Sequence, residues 1–269
     1  MITSLLLSLR EGLEAALILG IVLGALHRTG RADLNRSVWA GVVSAAILSA
    51  VAALALRAVD QELEGRREQI FEGVTMLLAA GVLTWMIFWM RRESRGMRIR
   101  LENNVKRLAN VKGKGTLYFL AFIAILREGI ELALYLTAAS LTSSATQTLI
   151  GTASGLLIAI LAGYLIYTTA VRLNLQRFFQ VTGVILILFA AGLIGHSVAE
   201  LNEAGIIPAL INPIWNLNPV LNDQSVVGTI MSTLFGYHGN PSLTEALGYG
   251  AYILVILYFF IKARTFQPA

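Results

Sequence analysis

Leu9-Arg10-Glu11-Gly12-Leu13-Glu14-Ala15-Ala16-Leu17-Ile18-Leu19 lies inside a long apolar stretch, and its charged centre returns far downstream. The second copy reads Leu126-Arg127-Glu128-Gly129-Ile130-Glu131-Leu132-Ala133-Leu134-Tyr135-Leu136, identical at eight of eleven positions. An ionisable side chain near the middle of a membrane helix costs roughly 2.5 to 3.5 kcal/mol on an insertion scale. Each copy sets three of them within five residues. A chain that carries that cost twice in one pattern uses those residues.

The surroundings of the two copies define the class of protein. Of 269 residues, 56% are hydrophobic and only 14% charged, the profile of a polytopic membrane protein rather than of a soluble domain. Windows of about 20 apolar residues fall near 4–27, 38–57, 71–90, 116–139, 147–171, 179–200 and 243–262. The first window is too long for a cleavable signal and no basic segment precedes it, so it is expected to stay as a spanning helix. Cysteine is absent, which excludes disulfides and thiolate metal sites, and three histidines make an imidazole-rich site improbable.

Loop charge sets the orientation. Arg28, Arg31 and Arg36 lie in loop one, nine Lys/Arg fall between Arg91 and Lys114, Arg172 and Arg177 lie in loop five, and Lys262 and Arg264 end the chain. The opposite side has Arg57, Arg66 and Arg67 alone. The positive-inside rule therefore predicts an outer N-terminus and a cytoplasmic C-terminus. The basic cluster faces anionic lipid, and no nucleic-acid partner is expected.

The repeat extends past the motif, since Ala79-Ala80-Gly81 is echoed by Ala190-Ala191-Gly192. Three spans per copy is an odd number, so the second copy must enter the membrane from the opposite side. The expected fold is all-α, with seven transmembrane helices arranged as two inverted three-helix repeats plus one extra helix. Residues 1–92 form the first repeat, 93–115 a basic cytoplasmic loop and 116–200 the second, inverted repeat. Residues 201–242 form an extracytoplasmic loop, and 243–269 the seventh helix and its tail. Within the loop, residues 226–237 are apolar but too short to span, which predicts an interfacial or re-entrant helix. The seventh helix seals the bundle or makes a homo-oligomer contact. Inverted repeats are typical of secondary transporters with a midplane site.

On a helix, Arg10 and Glu14 share a face, Glu11 and Glu14 lie three apart, and Gly12 leaves room for a neighbour. Arg127, Glu128 and Glu131 repeat this geometry. If the two faces meet, four carboxylates and two guanidinium groups leave a formal charge of −2, which a cation or protons must neutralise. Carboxylate oxygens are hard ligands, suited to iron, manganese, magnesium or calcium. Glu11, Glu14, Glu128 and Glu131 are therefore the expected metal ligands, with Arg10 and Arg127 holding them in place. The competing structural reading is an ion-pair cluster that only ties the helices together.

A second acidic group gathers at helix ends on the outer side: Glu68, Glu72, Glu200 and Glu203, with His196 one turn before Glu200. It is a candidate entrance for a cation, whereas Asp60, Glu62 and Glu64 read equally well as solvated loop residues. Met76, Met86 and Met90 are expected to be apolar filler, and Trp85, Trp89 and Tyr252 ordinary bundle aromatics. Gly20-x-x-x-Gly24 and Gly151-x-x-x-Gly155 are close-packing patterns.

Paired Arg-Glu-Gly-x-Glu motifs in the first and fourth of seven helices resemble the high-affinity iron permease family, which includes fungal oxidase-dependent and bacterial EfeU-type iron permeases. The resemblance extends to Ile70-Phe71-Glu72-Gly73-Val74-Thr75-Met76, to Asn212-Pro213-Ile214-Trp215-Asn216 and to Gly236-Tyr237-His238-Gly239-Asn240-Pro241. It implies import of iron, as Fe3+ or Fe2+, across the cytoplasmic membrane of a bacterium, with the motif glutamates as the translocation site and no resident cofactor. It also implies a separate extracytoplasmic oxidase, peroxidase or iron-binding partner. Members often carry His-Glu-Leu-x-Glu-Ala-Gly after helix six, where this chain has Ala199, so His196 substitutes or the outer site lacks a histidine. Two alternatives compete: a transporter of another metal such as lead or manganese, and an intramembrane carboxylate-metal enzyme, which inverted symmetry and scarce histidine disfavour.

Overall fold

A computed structural model describes residues 1–93, 114–141, 144–169, 175–223 and 225–265, so most of the basic loop expected at 93–115 lies outside the described residues. The helices are α1 (Ile2–Arg28), α2 (Asn35–Glu62, after a 3-10 turn at Ala32–Leu34), α3 (Arg66–Glu93), α4 (Lys114–Leu141), α5 (Ala145–Thr169), α6 (Leu175–Glu203), α7 (Val226–Phe235) and α8 (Leu243–Thr265). No strand occurs among the described residues. A helix stands at each of the seven expected spans, and the short α7 occupies the apolar segment of the long loop.

Among the described residues, five stretches are long and apolar enough to cross a membrane: Ala32–Asp60, Arg66–Trp89, Ala145–Leu165, Gln180–Glu203 and Leu243–Lys262. The two motif helices are as long, at 27 and 28 residues, but carry their charges in mid-helix. Large apolar side chains are exposed along α2 (Val43, Ile47, Leu54), α5 (Ile160, Leu161) and α8 (Leu254, Ile261). In water such surfaces would aggregate; in lipid they are solvated. The chain is a multi-pass membrane protein.

The chain forms two compact units, interleaved in sequence. The first comprises Met1–Val59, Trp85–Ser140 and Ser144–Thr182. In it, Val22, Ala25 and Leu26 near the end of α1 pack with Leu34 and Val38 and with Leu117 and Ala121 at the start of α4. Further along, the α1 motif meets the α4 motif, so the two helices run antiparallel. Each is also joined to a parallel neighbour by small residues. Gly151 touches Met1 and Ser4, Gly155 touches Leu5 and Ser8, Ala159 touches Gly12, and Gly163 touches Ala16. Contacts thus advance together along α1 and α5 in steps of four, with backbone against backbone. On the other side, Gly41 of α2 lies against Tyr118, Ala121 and Phe122 of α4, and Ser49 lies against Gly129. Close approach of this kind is how membrane helices gain dispersion energy without a hydrophobic driving force. The pattern Gly20-x-x-x-Gly24 makes no such contact, since a Cβ at either position would meet nothing within 4 Å.

The second unit is chiefly Asp60–Thr84 and the chain from Gly183 onward. The Ser197 hydroxyl of α6 donates to the Gly73 carbonyl of α3 at 2.7 Å, and Arg66 Nε donates to the Ala204 carbonyl at 2.9 Å. Gly192 of the Ala-Ala-Gly echo packs backbone to backbone against Gly236, the left-handed residue that ends α7. Ser225 caps the start of α7 by accepting from the Gly228 amide at 2.9 Å. The long loop is tied down by the Leu217 amide donating to the Gly239 carbonyl at 2.8 Å, and by the Tyr237 hydroxyl donating to the Leu221 carbonyl at 2.8 Å. Met76 here and Met86 in the first unit are buried filler, as expected, and the Met90 side chain lies outside the described residues.

Candidate metal centre

The two motifs bring Glu11 of α1 against Glu128 and Glu131 of α4. Gly12 and Gly129 admit this because neither carries a side chain toward its parallel neighbour, where Ala159 Cβ lies 2.7 Å and Ser49 Cβ 2.6 Å from an added Cβ. Each glycine lets its helix seat deeply while the flanking glutamates turn the other way.

Glu11, Glu128 and Glu131 each offer an oxygen within 4.8 Å of the others, and all three residues are buried. Both oxygens of Glu11, Oε2 of Glu128 and Oε2 of Glu131 are closed off from solvent without a hydrogen-bond donor. Buried carboxylates are normally saturated with donors, so this arrangement is costly unless a cation fills it. Ringed oxygens without donors suit a hard cation. Glu14, also buried, lies outside this group of three and keeps to its own helix, with Oε1 3.3 Å from Arg10 Nε.

The arginines occupy unlike settings. Arg10 is 1% exposed. Arg127 donates through Nε to Glu131 Oε1 at 2.9 Å, and its guanidinium lies 4.4 Å from the Trp89 ring centroid and 5.6 Å from that of Trp85. The indole faces thus hold this cation by their quadrupole. Sequence reasoning treated both tryptophans as ordinary aromatics; their spacing of four, facing a charged neighbour, was the signal available. Tyr135 was likewise passed over. It is fully buried one turn after Glu131, and its hydroxyl has no hydrogen-bond partner among the described residues.

In the second unit, Glu72 lies within electrostatic reach of Glu200, Glu68 and Glu203, and also of Asp60. The Gln69 amide donates to Glu203 Oε2 at 3.1 Å. His196 turns elsewhere: its Nε2 is 3.5 Å from the Ser232 hydroxyl, and its ring centroid 6.4 Å from that of His238. His238 Nδ1 in turn contacts Glu245 Oε1 at 2.9 Å and Oε2 at 3.0 Å. This bond holds the His238 pKa above the ordinary imidazole value, outweighing the opposing effect of partial burial. The Glu245 carboxylate also receives the Ser242 amide at 3.4 Å, at the start of α8. That pairing was not foreseen, because seven residues and a turn separate its members.

A buried carboxylate cluster on two antiparallel helices, in a multi-pass membrane protein, is a set of hard ligands able to take a cation. The Iron permease FTR1 family model matches residues 1–267. The chain is 34% identical to the "Ferrous iron permease EfeU" of Yersinia pestis over 268 residues, covering 98% of this chain and 95% of that protein. Relatives of the same name from Yersinia pseudotuberculosis and Escherichia coli strain 536 are also 34% identical, each over 263 residues. They cover 97% of this chain, and 92% and 95% of their own lengths respectively. No solved structure matches. The chain belongs to the FTR1 iron permease family, whose work is iron transport.

Proposed function

We propose that this chain imports ferrous iron across the cytoplasmic membrane through a site formed by Glu11, Glu128 and Glu131, with Glu14 completing its charge. One observation carries the reading: three buried carboxylates from two antiparallel helices converge on a point with oxygens that no donor satisfies. Four carboxylates against two guanidinium groups leave −2, which a divalent ion brings to zero. The relatives' name, ferrous iron permease, agrees with that charge.

Seven spans with the N-terminus outside fit the excess of basic residues in odd-numbered loops and tail. The inverted repeat draws support from the two seams. Each motif helix lies parallel to the second helix of the other half, and each motif glycine meets a small residue there. Glu68, Glu72, Glu200 and Glu203 form an outer carboxylate group that collects cations. His196 belongs with His238 and Ser232 rather than with these acids.

The test is uptake of iron(II) into proteoliposomes by the purified chain under reducing conditions. Glu11→Gln, Glu128→Gln and Glu131→Gln each bring uptake to background. Glu14→Gln, which leaves the three converging carboxylates in place, retains part of it. Wild-type uptake in any of the first three variants overturns the assignment.

A further inference from the structure

The donor that the carboxylate cluster lacks stands beside it. Tyr135 is 0% exposed, and its hydroxyl has no hydrogen-bond partner among the described residues. It follows Glu131 by four residues and Glu128 by seven, so all three share one face of α4. Long side chains on a helix lean toward its N-terminus, which carries this phenol over the turn that bears Glu131. Glu11, Glu131, Arg10 and Glu14 all lie within its electrostatic reach.

Two orphaned groups therefore face one problem. Glu131 Oε1 already accepts from Arg127, but Oε2 is buried without a donor. The phenol is a donor without an acceptor. The position equivalent to Tyr135 on α1 is Ile18, so the phenol is supplied by the second motif's helix alone.

We propose that Tyr135 is a positioning residue of the ion site: its hydroxyl and Glu131 Oε2, both unpaired in this structure, join when the cation enters, so that the phenol fixes which carboxylate oxygens face the cargo. This rests on reading the glutamates as the ion site. With Arg127 on Oε1 and Tyr135 closing on Oε2, the loaded Glu131 is held from both sides. Groups that orient a metal-binding side chain in this way are worth about 10- to 100-fold in metal affinity.

The experiment compares wild type, Tyr135→Phe and Glu131→Gln as purified full-length proteins. Iron(II) affinity is measured by anaerobic calorimetry, and uptake in proteoliposomes. Tyr135→Phe removes one oxygen and keeps the ring. Its Kd and KM for iron(II) rise about 10- to 100-fold, while the maximal rate changes little. Wild-type affinity in Tyr135→Phe overturns the proposal, as does a fall in maximal rate at unchanged KM. If Glu131→Gln also binds like wild type, the ion-site reading itself fails; if Glu131→Gln loses binding while Tyr135→Phe keeps it, this inference alone fails. Infrared difference spectra of wild type carrying isotope-labelled tyrosine supply a readout that needs no variant. Iron(II) shifts a tyrosine C–O stretching band if Tyr135 holds Glu131, and the absence of any tyrosine band in the difference spectrum refutes it.

Discussion

Replacing Gly12 by alanine tests whether the α1–α5 seam sets the geometry of the carboxylates. The added Cβ would stand 2.7 Å from Ala159 Cβ and 3.4 Å from Leu156 Cδ2. Carbon pairs rest at about 3.5–4.0 Å, so the helices must part by about 1 Å. Overfilling a packed interface costs about 1–3 kcal/mol, and alanine returns up to about 1 kcal/mol of helix propensity. The net loss of stability is therefore small, on the order of 1 kcal/mol. The functional loss is larger, because Glu11 adjoins Gly12 and moves with it; a displacement of about 1 Å at a reacting centre costs up to about 100-fold. Initial rates of iron uptake in proteoliposomes and thermal melting of the same preparation separate the two effects. Gly12→Ala loses most uptake with a small drop in Tm, and Ala159→Gly in the same chain restores uptake by reopening the gap. Gly20→Ala and Gly24→Ala, with nothing within 4 Å of the new methyl, behave as wild type. Normal uptake in Gly12→Ala, or no rescue by Ala159→Gly, refutes the argument.

Two further outcomes follow from contacts outside the carboxylates. His238 titrates above its ordinary pKa of 6.5 because of its hydrogen bond to Glu245. A raised folded-state value means that the bond's contribution to stability is fully present below the unfolded pKa and is lost as pH rises through the folded one. The Tm gap between wild type and His238→Gln is thus widest in mild acid and narrows with rising pH; a gap that widens refutes the pairing. Trp89→Leu removes the indole face beneath Arg127, an interaction worth about 0.5–2 kcal/mol. It raises the KM for iron, because the guanidinium that holds Glu131 loses its seat, whereas Trp85→Leu, with the ring centroid farther off, has the smaller effect.

Helix positions were legible because lipid allows no other solution: about 20 apolar residues in a row must form a helix that satisfies its own backbone. The twelve-residue apolar run in the long loop could not span, and it became the ten-residue α7. The motif residues were legible through their cost. Partner choice was not. Gly20-x-x-x-Gly24 and Gly151-x-x-x-Gly155 share one glycine spacing, yet only the second, which encloses the small residues Thr152, Ala153 and Ser154, faces another backbone. Glu14 and Glu131 occupy matching places in the two motifs, but only Glu131 joins the converging group, since that depends on how one helix is rotated against another. Tyr135, Trp89 and the His238–Glu245 pair depend on the same long-range placement, which periodicity does not encode.

The small-residue seams also bear on how the chain is made. Gly12 finds its partner only when Ala159 has been synthesised, about 150 residues later, which at 5–20 residues per second is roughly 7 to 30 s of translation. For most of that interval α1 stands with three ionisable groups before α4 and α5 have been made. The contact between Arg10 and Glu14 lies within α1 itself and needs no other helix. It cancels one charge of each sign from the moment the helix forms, so the first motif carries its own counter-ion through insertion and the nascent helix is left with the single net charge of Glu11.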